Sequence, residues 1–328
     1  MRPGSRALFA AALAAASFPA AGLAKEKLTF ATYLEPAHLS AFWPLINGKI
    51  PSDILEVEVK DLPVGVAGQA LATKQYDVFE VGALSLEQSA KQGLQIKMVG
   101  TSLRYTMAPV GFGIWVKADS PIKTVGDLKG KKIGSYGFQS TVFALQRMAL
   151  KDKYNVNVAL DGGDFSFVQL PAPNLPGALA TDRIDAATFS HLQSYSARKG
   201  KDFRVLVETG EDFRDVYKVQ MVTSILVGYP ERLAEKPELY RELLRMLRAS
   251  VDYTKKHQDE VFDAVAEKTK VSKDFFVDWW ANYGNFPIAI SNGDVKAIEI
   301  LYDKAKGLGM SENAPNVPQS IWEKALRE

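Results

Sequence analysis

Ser140 and Thr141 stand just before an apolar series, Val142, Leu145 and Ala149, whose spacing predicts a helix from about Thr141 to Lys151. Ser140 is placed to cap that helix. The free amides of its first turn, with Gln139 beside them, offer a cradle for a polar or anionic group, helped by the helix dipole. Two further groups of small and polar residues follow predicted strands: Gly82, Ala83 and Ser85 after Tyr76–Val81, and Ser190 and His191 after Ile184–Phe189. A small residue at such a strand end lets the backbone approach a bound molecule. A tight strand–helix turn would ask for the same residues. The chemistry on offer is non-covalent capture.

Bond-making chemistry finds little support. The chain has no cysteine, which removes thiolate nucleophiles, disulfides, iron–sulfur clusters and cysteine-ligated zinc. Its three histidines, His38, His191 and His257, are scattered without an acidic cluster, so no metal site is expected. There is no nucleophile elbow, phosphate-binding P-loop or paired-histidine zinc motif. Gly111-Phe-Gly113 lacks the third glycine of a dinucleotide fingerprint and falls inside a predicted strand. No catalytic residue and no cofactor is assigned. Forty basic against 38 acidic residues give a net charge of +2, which creates no field suited to nucleic acid.

The elements that must position these residues begin after an unusual N-terminus. Residues 1–24 combine Arg2 and Arg6, an apolar run from Ala7 to Phe18 and a small-residue end, the pattern of a secretory signal peptide cleaved after Ala24. Its loss would leave 38 residues of each charge. No later run is long and apolar enough to span a bilayer, so a soluble exported protein is expected. A length of 328 residues suggests two domains. Strands are predicted at Leu28–Tyr33, Leu55–Lys60, Tyr76–Val81 and Gln95–Val99, then Val110–Val116, Lys131–Ser135, Phe165–Leu170, Ile184–Phe189, Phe203–Glu208 and Val219–Val227. Helices alternate with many of them, which indicates α/β architecture with parallel strands. From Pro230 the chain turns helical, with Leu239, Leu243, Leu247 and Val251 on one stripe and a last helix expected over Gln319–Leu326.

Two segments align without gaps at an offset of 108 residues. Leu62–Asp77 and Leu170–Asp185 share seven of sixteen positions: a Leu-Pro pair, an Ala-Leu-Ala-Thr run and the final Asp. The repeat predicts two similar α/β lobes. Ligands of open α/β sheets bind beyond the carboxyl ends of the strands. Facing lobes would therefore form a cleft with Gly82–Ser85 on one wall and Ser190–His191 on the other.

At this level the sequence resembles the periplasmic substrate-binding proteins of nitrate, sulfonate and taurine importers, which have a type II periplasmic binding protein fold. The resemblance is carried by Asp77-Val-Phe-Glu-Val-Gly-Ala-Leu-Ser85, by the connector Asp119-Ser-Pro-Ile-Lys-Thr-Val-Gly-Asp-Leu-Lys-Gly-Lys-Lys-Ile-Gly134 and by Ala178–Ala187. It implies lobe I at 25–122 plus 217–328 and lobe II at 123–216. The lobes would be joined by crossings near Ser120–Val125 and Gly210–Lys218 and would close on ligand by a hinge. It also implies that Tyr33, Glu35 and His38, in the loop after the first strand, reach the ligand. Ser190 and His191 stand where the family usually carries an aromatic–acidic or polar pair. His191 can donate to an anion, accept from a neutral group or cap the following helix. Tyr136 and Phe138 could stack on an aromatic ligand, and Arg104 would be the natural partner of a carboxylate or sulfonate if it pointed inward.

The function implied is periplasmic capture of a small organic molecule (a sulfonate, an aromatic acid or a pyrimidine-like compound) by a monomer. Delivery would be to the membrane permease of an ABC importer, without turnover and without nucleic acid. Two alternatives stand beside it: an enzyme on the same fold, of the thiamine-pyrimidine synthase type, and a periplasmic sensor that docks on a signalling receptor. The first of these carries a cysteine-rich motif that is missing here.

Overall fold

The computed structural model describes residues 24–105 and 112–328. The segment up to Leu23, expected to be a signal peptide, and residues 106–111 lie outside them.

The chain first lays down β1 (Glu26–Tyr33), α1 (Pro36–Ile46), β2 (Leu55–Leu62), α2 (Val64–Ala72), β3 (Val78–Gly82), α3 (Ser85–Lys91) and β4 (Lys97–Tyr105). It then builds a second unit from β5 (Phe112–Lys117), β6 (Lys132–Ser135), α4 (Thr141–Tyr154), β7 (Ser166–Gln169), α5 (Leu175–Ala180), β8 (Ala186–Ser190), α6 (His191–Lys199), β9 (Phe203–Val207) and α7 (Thr209–Tyr217). It returns through β10 (Val222–Gly228) and continues with α8 (Pro230–Glu235), α9 (Pro237–Lys256), α10 (Gln258–Thr269), α11 (Lys273–Asn282), β11 (Gly284–Asn285), α12 (Asn292–Lys306) and α13 (Val317–Ser320).

The first sheet has the order β11-β4-β10-β3-β1-β2 and the second β7-β6-β8-β5-β9. Each holds one long antiparallel strand between parallel and returning ones: β10 against β3 and β4, and β5 against β8 and β9. Both strands come from near-continuous apolar runs, as a strand covered on both faces requires, and β10 is buried along its whole length.

This pairing corrects the expected boundary. The strand at 112–117 was expected in lobe I, but its apolar residues Ile114 and Val116 join the buried cluster of lobe II. The chain therefore leaves the first sheet after Tyr105 and returns to it between Tyr217 and Val222. Ser120–Val125 is not a crossing. It leads into a short turn where the Asp127 carboxylate accepts from the Lys123 and Thr124 amides at 2.9 and 2.8 Å. Gly210–Lys218 is not a crossing either: it lies largely in α7, which packs on α4. The helix expected over Gln319–Leu326 is only the four-residue α13, because Ile321 instead bridges to Met98 in β4.

The repeat is structural. Lys74 and Asp182 occupy matching turns with φ of 54° and 56°. Asp77 accepts from the Thr29 amide of β1, and Asp185 accepts from the Lys132 amide of β6, both at 2.8 Å. In each lobe the aspartate ties the start of one parallel strand to the next and sets the register that carries β3 and β8 toward the cleft.

Candidate functional site

Beneath the cleft, on the lobe I side, lies Glu80, the one charged residue of an otherwise apolar strand and almost fully buried. Its carboxylate accepts from Thr32 Oγ1 at 2.6 Å, Ser102 Oγ at 2.5 Å and Ser224 Oγ at 2.9 Å, and His38 Nδ1 lies 3.0 Å away. Four elements, β1, β4, β10 and α1, converge on one carboxylate. Burial pushes the Glu80 pKa up, but His38 and the hydroxyls outweigh it and hold it at about 2. Glu80 is thus ionised and accepts only, so His38 donates through Nδ1–H. His38 was expected in the cleft. It is 1% exposed, with Tyr33 and Phe286 edge-on at 5.5 and 5.2 Å. The structure uses it to position β1 and α1 on Glu80.

Above this floor, groups from both lobes meet. Tyr33 ends β1 and Glu35 precedes α1 without capping it. From the other lobe comes His191, the first residue of α6, held at φ 47°. Its Nδ1 is 3.8 Å from the Glu35 carboxylate. Its ring meets Trp279 of α11 at 4.6 Å, His38 at 5.7 Å and Tyr105 at 6.2 Å. Gly284 makes room for this arrangement, because a β-carbon there would collide with the Trp279 indole. Tyr136, one residue past β6, shares a hydrogen bond of 3.0 Å with Ser190 Oγ.

Burial raises the pKa values of the three phenols. Tyr136 is pushed up to about 12, with Ser190 pulling it down and Glu35 adding to the rise. Tyr33 and Tyr105 lie well above the usual range, Tyr33 with help from Glu80 and Tyr105 with help from Tyr136. All three stay neutral hydrogen-bonding groups at physiological pH. Burial would raise Glu35 as well, but the nearby His191 imidazole, with His38 behind it, holds it below the ordinary carboxylate range. The result is an aromatic frame with one carboxylate. Among the described residues, no lysine or arginine is ion-paired to any of these groups.

The other expected contacts lie on one flank, where the lobes touch directly. The Leu84 amide donates to Thr141 Oγ1 at 3.0 Å, and Gln88 Nε2 donates to the Gln139 carbonyl at 2.9 Å. Gly82 allows this approach: a β-carbon there would sit 2.7 Å from Thr141 Oγ1. Ser140 caps α4 by accepting from the Phe143 amide at 3.2 Å. Ala83 is fully buried and its carbonyl accepts from Tyr302 Oη, while Ser85 is largely buried. On the opposite flank Arg198 of α6 bridges to Asp278 of α11 at 2.6 Å and lies over the Tyr283 ring.

Arg104 is not available to an anion. It is buried, with Nε and Nη2 each 2.6 Å from the Asp294 carboxylate. Phe138 stacks on Phe143 at 4.8 Å. Sequence reasoning missed Glu80, Tyr105 and Trp279. A lone acid inside Val78-Phe79-Glu80-Val81 was a readable sign of the first, whereas Trp279 looked like any core aromatic of an amphipathic helix.

Two α/β lobes with matching sheet orders, joined by crossings and meeting around strand ends, define the periplasmic binding protein fold. A family model described as NMT1/THI5 like matches residues 55–261, more than half of the chain, and the protein belongs to that family. The fold is similar to that of the periplasmic aliphatic sulphonate binding protein SsuA from Escherichia coli. The TM-score is 0.72 at 17% identity, over 92% of this chain and 94% of that one. The alkanesulfonate-binding protein SsuA from Xanthomonas axonopodis pv. citri, solved with MOPS, gives 0.69 at 15% identity over 92% and 99%. A Brucella abortus (strain 2308) protein provisionally named a binding protein is 24% identical over 199 residues. That match spans 61% of this chain and 60% of the relative. Among the described residues no helix is long and apolar enough to cross a membrane.

Proposed function

We propose that this protein is a periplasmic solute-binding protein. It captures a small organic molecule between its lobes and presents it, unaltered, to the permease of an ABC importer. The observation that carries this reading is the meeting of His191 and Tyr136 from one lobe with Glu35, Tyr105 and Trp279 from the other, at strand ends. A ligand held there touches both lobes and favours their contact, so the closed form reports occupancy. The names of the sulfonate-binding and Brucella relatives support the binding role.

The ligand class follows from the frame. A sulfonate or carboxylate calls for a cationic donor, and Arg104, the candidate for that role, is committed to Asp294. Flat aromatic walls, neutral phenols and the Glu35 carboxylate suit a planar ligand that presents hydrogen-bond donors, as a pyrimidine-like compound does.

The test is a panel of pyrimidines, aromatic acids, sulfonates and inorganic anions against the protein from residue 25 onward. Thermal shift finds the class, and quenching of Trp279 fluorescence, absent in Trp279→Phe, locates it. A pyrimidine-type hit recovered chemically unchanged is expected. Consumption of the hit would replace the transport reading with an enzyme. A sulfonate hit at micromolar affinity would refute the ligand class while leaving the binding role.

A further inference from the structure

We infer that the protein has a second binding site, for a small organic carboxylate, on the outer half of α4. Arg147 lies two turns beyond the cleft end of that helix and is 2% exposed. Its Nε donates to the Val158 carbonyl at 2.9 Å and its guanidinium lies over the Phe143 ring. Nη1 has no hydrogen-bond partner, and no carboxylate lies within 4.0 Å of the guanidinium among the described residues. A buried guanidinium stays charged at any physiological pH, and leaving it without a counter-ion is costly. Most buried charges are paired. This one instead lines a recess of about 260 Å³.

The recess has the build of a site for an acid with an apolar tail. Lys151, one turn along the same face, brings a second cation that forms no ion pair among the described residues. Val156, Val158 and Leu160 form one wall and Leu308, just after α12, forms part of the other. A carboxylate between the two cations would supply the missing counter-ion, and a short branched tail would cover the valine and leucine surface. Since α4 belongs to lobe II and Leu308 follows a helix of lobe I, the occupant would touch both lobes. This site shares no residue with the cleft, and its existence does not depend on what the cleft binds.

The test uses isovalerate as probe, with acetate, inorganic phosphate and chloride at matched ionic strength. In the wild type, isovalerate should raise Tm saturably with a midpoint in the millimolar range, and chloride should not. Arg147→Met should abolish that rise. Lys151→Glu, on the surface and safe for folding, should weaken it by about fivefold. His191→Ala should leave it unchanged. The side-chain Nε–H resonance of Arg147 should move with the same midpoint. The proposal is overturned if isovalerate gives no saturable shift, if the shift survives both Arg147→Met and Lys151→Glu, or if His191→Ala removes it, which would assign the binding to the cleft. Phosphate binding as tightly as isovalerate would overturn the apolar half of the assignment.

Discussion

Replacing Glu80 with Gln should destabilise the protein by about 3 kcal/mol at neutral pH, and the penalty should fade in acid. The magnitude comes from the downward shift of the carboxyl from 4.5 to about 2, at roughly 1.4 kcal/mol per unit. The folded-state value lies below the unfolded one. The contribution is therefore complete above the unfolded value and is lost as pH falls toward about 2. Glutamine keeps the shape but turns one acceptor into a donor, where the hydroxyls of Thr32, Ser102 and Ser224 and the imidazole of His38 all donate. The hydroxyls can rotate to accept; the lost charge cannot be replaced. Equilibrium unfolding in urea at neutral pH and at about pH 3 measures the effect. By about pH 3 the wild type should itself have lost roughly 2 kcal/mol of this contribution, so the gap to the variant should shrink to about 1 kcal/mol. Glu87, a second carboxyl held at about 2, is common to both proteins and cancels. A gap below about 1 kcal/mol at neutral pH, or one that does not shrink in acid, would refute the assignment of Glu80 as an ionised hub.

Gly82→Val should place a side chain against Thr141 Oγ1 and hold that flank apart. Small-angle scattering with ligand should then show a larger radius of gyration and calorimetry about tenfold weaker binding, both reversed by adding Thr141→Gly. Because Glu35 is held below the ordinary carboxylate range, its contact with His191 is present at neutral pH and is lost as pH falls through that lowered value. Ligand affinity should hold as pH falls into the ordinary carboxylate range and decline only below it, whereas Glu35→Gln should bind weakly throughout with no acid limb in the titration. Tyr136→Phe removes the bond to Ser190 and should cost about 1 kcal/mol in thermal unfolding, with no change in far-UV circular dichroism.

The fold was largely legible because the features that build it are local or repeated. The shared Ala-Leu-Ala-Thr and Asp positions of Leu62–Asp77 and Leu170–Asp185 mark the same turn and the same aspartate-to-amide tie in both lobes. Offset by 108, Gly82 matches Ser190 and Ala83 matches His191, so the repeat also indicated which strand ends face the cleft. The lobe boundary was misplaced for a physical reason. An apolar run such as Phe112–Lys117 announces a strand covered on both faces but not which sheet covers it. That depends on β8 and β9, which are more than 60 residues further along the chain.

The site was legible only in part, and the missing part is what distant segments supply. Hydroxyl caps such as Ser140 are written in a few consecutive residues, and that expectation matches the structure. The roles of His38 and Arg104 are not written locally. Both side chains carry polar groups that could serve a ligand, and both meet a buried carboxylate first, Glu80 for His38 and Asp294 for Arg104. A charge inside a protein is costly unless compensated, so a partner in the fold takes precedence over one in solution. Arg147 shows the converse. It is just as buried, and no carboxylate of the described chain reaches it. The same electrostatic rule that withdraws Arg104 from the list of ligand contacts therefore places Arg147 on it.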